Sequence, residues 1–175
     1  YGSAEMKIDF HTHIYPDHVA VRTIAAVRQR AGIEAHTAGT LKGLKRSMTA
    51  AGIDISVVAA VATRPEQVSS IHCWLGGIRQ PGIETMATTH PSNPLKSEQI
   101  KSLKRRGFKG FKLHPDYQHF FVDDFRMYPF YEAAAAEGMF ILFHAGMDRG
   151  LPYPVHATPK RLAAVHEAVP RLCMI

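Results

Sequence analysis

The sequence has 175 residues, of which 46% are hydrophobic and 21% charged, and its formal net charge is +6. These values are typical of one globular domain, and no apolar run approaches the roughly 20 residues that span a bilayer, so no membrane segment is predicted. Two cysteines, Cys73 and Cys173, are too few for a disulfide framework, which favours a reducing cytoplasm. Residues 1–5 are predicted to be a tag remnant or leader.

Strand-like and helix-like segments alternate along the rest of the chain. The predicted elements are a strand at 6–13, helices at 16–30 and 40–51, a strand at 53–62, a helix at 65–75, a strand at 83–90, a helix at 97–106, a strand at 108–114, a helix at 123–137, a strand at 139–144, a helix at 158–168 and the start of a strand at 172–175. We expect Ser97 and Thr158 to cap their helices, and Pro129 to kink the helix in which it lies or to end its first turn.

This alternation predicts an α/β fold with parallel strands and helices packed on them. We expect a (β/α)8 TIM-barrel-like fold, here incomplete, with five to six β-α units, because a full barrel needs about 250 residues. The chain stops inside the apolar segment 171–175 (RLCMI), so we also expect it to be a fragment of a longer protein.

The segment Asp9-Phe10-His11-Thr12-His13 places two histidines at the carboxyl end of the first strand. Alternate side chains of a strand point the same way, so His11 and His13 can converge on one ion, while Ile8, Phe10 and Thr12 are expected to face packing helices. The alternative is a pair of strand-end histidines without metal.

Three later predicted strands also end in histidine, at His90, His114 and His144. Four apolar residues precede His144. His114 follows Lys112 by two residues, so the side chains of Lys112 and His114 point to the same face of their strand. A lysine that points into a barrel is costly unless it is paired or modified. Lys112 could therefore be carbamylated and bridge two metals, attract an anionic substrate, or lie in a salt bridge.

Three segments in this order, IDFHTH, GFKGFKLHP and FILFHAG, resemble the amidohydrolase superfamily, specifically its amidohydrolase-2 branch. The resemblance covers nearly the whole chain from Met6, so residues 6–175 are predicted to be the N-terminal part of a metal-dependent hydrolase barrel. It implies that His11, His13 and His144 are metal ligands. It also implies a strand-six histidine and a strand-eight aspartate, and the sequence ends before either.

The resemblance implies a hydrolase that acts on a C–N, ester or lactone bond of a small molecule through a metal-activated water. One or two divalent ions are expected: zinc, with manganese or iron as alternatives. Lys112 and His114 are predicted to be catalytic. A decarboxylase of aromatic or unsaturated acids in the same branch, a TatD-like or PHP-like phosphoesterase, and an inactive metal-binding partial barrel remain alternatives.

Basic residues near the strand ends suggest a substrate that carries a carboxylate. Arg64, His90 and Arg149 are predicted to bind it, because arginine pairs with carboxylates through two hydrogen bonds. Nucleic acid is not an expected partner despite the positive charge, because aromatic residues are not interleaved with the basic ones. An incomplete barrel has open strand edges, so homo-oligomers could form.

Overall fold

A computed structural model describes residues 5–151 and 153–175, which form two compact units. The described part of the first unit comprises residues 5–59 and 78–85, and the second comprises residues 60–77 and 86–175 without residue 152. The predicted leader at 1–5 lies, apart from Glu5, outside the described residues. Among the described helices, none combines the length and the apolar character needed to cross a membrane.

The predicted alternation of strands and helices is confirmed. The elements are β1 (Ile8–Thr12), α1 (Asp17–Ala31), α2 (Leu41–Ala51), β2 (Ile55–Ala59), α3 (Gln67–Gly76), β3 (Ile83–Met86), α4 (Ser97–Arg105), β4 (Gly110–Leu113), α5 (Pro115–Gln118), a 3₁₀ turn (Phe125–Met127), α6 (Tyr128–Ala136), β5 (Phe140–Phe143) and α7 (Pro159–Ala168). The strands are shorter than predicted: the predicted segments 53–62 and 108–114, for example, contain the strands Ile55–Ala59 and Gly110–Leu113.

The sheet of the first unit has the strand order β1-β2-β3, and β1 runs parallel to β2. β2 supplies the core, since Val57, Val58 and Ala59 are all buried. The prediction that the alternate face of β1 packs under helices is wrong for two residues: Ile8 is 50% and Phe10 39% exposed. Thr12 is buried, and its hydroxyl donates to the Val57 carbonyl oxygen at 2.9 Å. β1 is therefore covered only at its carboxyl end.

In the second unit β4 and β5 pair in parallel, in register from Gly110 opposite Phe140 to Leu113 opposite Phe143. Single parallel bridges extend this pairing, from Ala87 to β4 and from Met174 to β5. The bridge at Met174 agrees with the predicted start of a strand at 172–175. Gly110 is required where β4 meets β5, because a Cβ atom there would lie 2.7 Å from the Phe140 carbonyl oxygen.

Three local predictions differ from the structure. Ser97 is the first residue of α4 rather than its cap, because the Gln99 side chain accepts from the backbone N–H of Lys96 at 2.9 Å and thereby makes Lys96 the cap. The short helix α5 was not predicted. Pro129 neither kinks a long helix nor ends its first turn, because a separate 3₁₀ turn ends at Met127 and Pro129 lies in the first turn of α6, where proline is tolerated.

Candidate metal site

Two of the predicted histidines lie side by side in the second unit. His114 and His144 directly follow β4 and β5, and the in-register pairing of these strands brings the two residues to the same level. The backbone N–H of His144 donates to the Leu113 carbonyl oxygen at 3.0 Å. Their imidazole rings are stacked, with centroids 4.0 Å apart and planes inclined by only 7°.

Asp148 completes a group of three ligand-type side chains with these histidines. Its Oδ2 atom lies 3.4 Å from His114 Nε2 and 3.7 Å from His144 Nε2. One ligand atom from each residue lies within 4.8 Å of the others, a separation that allows all three to surround one cation. The aspartate is held in a turn, where its Oδ1 accepts from the Gly150 N–H at 2.7 Å, so that Oδ2 faces the rings.

His144 has the properties of a nitrogen ligand. Its Nε2 atom is buried and has no hydrogen-bond partner among the described residues. Burial lowers the pKa of this imidazole, while Asp148 acts against the shift and the positive charge of Lys112 adds to it. A neutral imidazole with an unpartnered nitrogen is the form that binds divalent cations. The residues present therefore fit a metal ion.

Lys112 is fully buried in β4, and its Nζ has no hydrogen-bond partner within the described residues. Desolvation lowers the pKa of this amine to about 8. The predicted alternative of a salt bridge is thus not found in the part of the chain that the structure describes. An amine in this state is destabilising, so its presence points to a role in the site.

A neighbouring glutamine fixes the backbone around His114. Gln118 is buried in α5, and its Oε1 accepts from the His114 N–H at 2.9 Å. Its Nε2 donates to the carbonyl oxygens of Ala62 at 2.9 Å and Thr89 at 2.7 Å. One side chain therefore joins three segments that follow β2, β3 and β4.

A second acidic residue lies near the cluster. Asp116 is buried, and its Oδ1 accepts from both the backbone N–H and the Nδ1 of His156, the latter at 2.7 Å. The Val122 N–H donates in turn to the His156 carbonyl oxygen at 3.2 Å. These bonds tie the segment after β5 to the segment after β4.

The strand-one histidines lie in the first unit. Their ring centroids are 4.9 Å apart, and both side chains are exposed. His13 Nδ1 lies 2.7 Å from the Ala59 carbonyl oxygen, and the His11 N–H donates to Asp9 Oδ1 at 3.3 Å. The two imidazoles are therefore close to each other, as the alternation of side chains predicts.

The three predicted substrate-binding residues occupy different settings in the second unit. Arg149 is exposed and follows Asp148 directly. Arg64 is also exposed, and its backbone N–H donates to the Gln67 side-chain oxygen at 3.1 Å. His90 is buried and bonded to the backbone of Thr63 and Ser92, and it is not a member of the group formed by His114, His144 and Asp148.

Sequence reasoning missed Asp148 and Gln118. An aspartate four residues after a strand-end histidine, followed closely by Gly150, is a signal that could have found the first. The second carries no such signal, because its role depends on three backbone segments that meet only in the folded chain.

Comparisons with known proteins identify the family and the fold of the chain. A family model described as amidohydrolase matches residues 8–174. No curated protein matches the chain. A 5-carboxyvanillate decarboxylase from Novosphingobium aromaticivorans, in complex with manganese and 4-hydroxy-3-methoxy-5-nitrobenzoic acid, is similar with a TM-score of 0.71 and 16% identity over 97% of this chain and 64% of that chain.

Two further solved structures share the fold. IDCase from Metarhizium anisopliae has a TM-score of 0.67 and 17% identity over 97% of this chain and 64% of that chain. A protein described as a 2-pyrone-4,6-dicarboxylic acid hydrolase from Pseudomonas putida has a TM-score of 0.58 and 14% identity over 97% of this chain and 55% of that chain. The chain thus spans less than two thirds of the length of these structures.

These likenesses confirm the predicted fold class, with parallel strands and helices that correspond to part of a TIM barrel. Because the family model extends over almost every residue from β1 to the end of the sequence, the chain belongs to the amidohydrolase family, in its amidohydrolase-2 branch.

Proposed function

We propose that the protein is a divalent-metal-dependent enzyme that acts on a small molecule carrying a carboxylate. The observation that carries this proposal is the buried Nε2 of His144, which has no hydrogen-bond partner in the described part of the chain and faces Asp148 Oδ2. The family resemblance supports His11 and His13 as the other ligands. A set of nitrogen ligands with one carboxylate suits zinc, manganese or iron.

A divalent ion held there would act as a Lewis acid on a substrate oxygen. The protein's own contribution is positioning and charge. Lys112 supplies a buried positive charge on the strand that leads to His114, which favours an anionic substrate. Arg149, exposed beside Asp148, is suited to bind the substrate carboxylate through two hydrogen bonds. Arg64 and His90 remain proposed substrate contacts with less support.

Hydrolysis of an ester, lactone or C–N bond is the first proposed reaction, and decarboxylation is the second. The second is favoured by the structural neighbours, several of which are named as decarboxylases of aromatic acids, including a 2,6-dihydroxybenzoate decarboxylase. Two cysteines that are both free and exposed favour a reducing compartment, so we place the enzyme in the cytoplasm.

The test is turnover by the chain loaded with Mn²⁺ or Zn²⁺. The substrates are 2-pyrone-4,6-dicarboxylate, 5-carboxyvanillate and a phosphodiester, assayed for ring opening, CO₂ release and phosphate-ester cleavage. We expect metal-dependent turnover of a carboxylate, lost in His144→Ala and kept in His166→Ala, a matched change at an exposed histidine of α7. CO₂ release without ring opening would select decarboxylation, whereas turnover of the phosphodiester alone, or of none of the three, would overturn the proposal.

A further inference from the structure

Backbone hydrogen bonds determine which ring nitrogen carries the proton in the neutral form of His114 and of His13. A neutral imidazole has one N–H and one lone pair, and only the lone pair can bind a metal. The group bonded to one ring nitrogen therefore decides what the other nitrogen can do. Resting on the proposed function, we propose that His114 is not a metal ligand but a positioning residue, which donates from Nε2 to Asp148 and orients that carboxylate.

The Nδ1 atom of His114 accepts a hydrogen bond from a backbone donor. The Tyr117 N–H points at it with the two nitrogens 3.4 Å apart. A backbone N–H can only donate, so Nδ1 must present its lone pair, and the ring proton of the neutral form is on Nε2. That Nε2–H faces Asp148 Oδ2 at 3.4 Å, and an acceptor-only carboxylate is a matching partner.

Local structure holds His114 in this state. His114 is the cap of α5, and Pro115 at the first helical position sets the turn that brings the Tyr117 N–H back to the ring. Gln118 fixes the backbone of His114 from the same helix, and the Tyr117 ring packs edge-on against the imidazole with centroids 4.3 Å apart. A switch of tautomer would leave two N–H groups facing each other.

His13 shows the opposite arrangement. Its Nδ1 lies 2.7 Å from the Ala59 carbonyl oxygen, which can only accept, so the neutral ring has its proton on Nδ1 and its lone pair on Nε2. This is the arrangement in which a histidine is held for metal binding through Nε2. The two histidines that end β1 and β4 are thus prepared for different tasks, although the sequence places both at strand ends.

A hydrogen bond from His114 to Asp148 would strengthen metal binding by that carboxylate. Carboxylates that ligate metals are themselves hydrogen-bonded, and loss of such a partner typically lowers metal affinity about 10- to 100-fold. With one Oδ2 lone pair occupied by His114 and Oδ1 bonded to the Gly150 N–H, the carboxylate has a fixed direction toward His144.

The direct test is a long-range ¹H–¹⁵N correlation spectrum of the metal-free chain labelled at histidine nitrogen, which reports the tautomer of each ring. His114→Gln and His13→Gln assign the two signals. We expect the proton on Nε2 for His114 and on Nδ1 for His13. A lone pair on Nε2 of His114 would overturn the proposal.

Metal binding gives a second readout, with Zn²⁺ as the probe. His114→Gln, which keeps a side-chain N–H donor, should bind Zn²⁺ within a few-fold of wild type, whereas His114→Leu should lose about 10- to 100-fold while the stoichiometry stays unchanged. Equal loss in both variants, or loss of a whole site in either, would show that His114 is a ligand. Failure of wild type to bind Zn²⁺ would contradict the proposed function instead, while the tautomers of the metal-free chain would still decide the assignment of the proton.

Discussion

The strand ends of β1 and β4 carry histidines that look equivalent in the sequence, yet they differ in their surroundings. All four residues of β4 are buried, whereas four of the five residues of β1 are exposed. His114 is fixed by Tyr117, Gln118 and the stacked ring of His144, while the ring of His13 is oriented by a carbonyl oxygen. One sequence pattern, a histidine at the end of a strand, can therefore follow a fully buried strand or a largely exposed one.

The largest expected difference between β4 and β1 is in the loss of unfolding free energy when one phenylalanine of each strand is replaced by alanine. Phe111 in β4 is fully buried and packs edge-on against Phe130, with ring centroids 4.9 Å apart, whereas Phe10 in β1 is 39% exposed. We expect Phe111→Ala to lower the free energy of unfolding by about 3–5 kcal/mol. Phe10→Ala should cost clearly less in the same urea titration, and equal losses would contradict the comparison.

The buried amine of Lys112 should make the second unit sensitive to pH. The pKa of Lys112 falls from 10.5 to about 8 in the folded chain. Between these values the unfolded chain binds a proton that the folded chain does not, so the free energy of unfolding rises with pH across that window. Below pH 8 the full penalty applies, and Lys112→Met should stabilise the metal-free chain by about 3 kcal/mol at pH 7.

This gain should shrink as the pH rises and disappear above 10.5, where the lysine is neutral in both states. Thermal or urea unfolding measured from pH 7 to pH 10.5 checks the trend. Lys109→Met, an exposed lysine just before β4, is the matched control and should give no such trend. A stabilisation that does not depend on pH would mean that Lys112 is not a desolvated ammonium.

Replacement of Gln118 measures how much its hydrogen bonds to the segments after β2, β3 and β4 contribute to stability. Gln118→Leu would leave the His114 N–H and the carbonyl oxygens of Ala62 and Thr89 without this partner, at a cost of about 2–3 kcal/mol in unfolding free energy. In the first unit, Gln80 is exposed and accepts a hydrogen bond from Lys45. Gln80→Leu should change stability by less than about 0.5 kcal/mol, and a similar loss in both variants would remove the distinction.

The smallest expected effect comes from an ion pair at the surface of the second unit. Arg161 donates to Asp123 at 2.6 Å and lies over the Phe121 ring, 4.0 Å from its centroid. Because the arginine side chain is 37% exposed, solvent screens the pair, and Arg161→Ala should cost about 1 kcal/mol. Arg46→Ala, at an exposed position of α2, should be neutral within about 0.5 kcal/mol, so a larger loss at Arg46 would reverse the comparison.

Much of the fold could be predicted from the sequence because its signals are local. Thr158 caps α7 as expected, and the predicted ends of α1 and α2 lie at Gly32 and Gly52, which adopt the left-handed conformation that glycine favours. Helix α5 was missed because Pro115, which follows the predicted strand 108–114, begins a helix of only four residues, and so short a helix has no periodicity to detect.

The candidate site was less accessible to sequence reasoning. The pairing of His114 with His144 follows from two strand ends, so it could be anticipated once the strands were predicted to be parallel neighbours. Asp148 lies in a turn, and its direction depends on the Gly150 N–H that binds its other oxygen. The role of His114 depends on which backbone group contacts Nδ1, and residue identity alone does not specify that contact.

The central claim is that His144 binds a divalent cation, and equilibrium binding of Mn²⁺ followed by the loss of its free-ion electron paramagnetic resonance signal tests it most directly. Wild type should bind Mn²⁺, His166→Ala should bind it equally well, and His144→Ala should lose more than the roughly 10- to 100-fold that changes outside the ligand shell produce. Unchanged Mn²⁺ affinity in a folded His144→Ala variant would contradict the account.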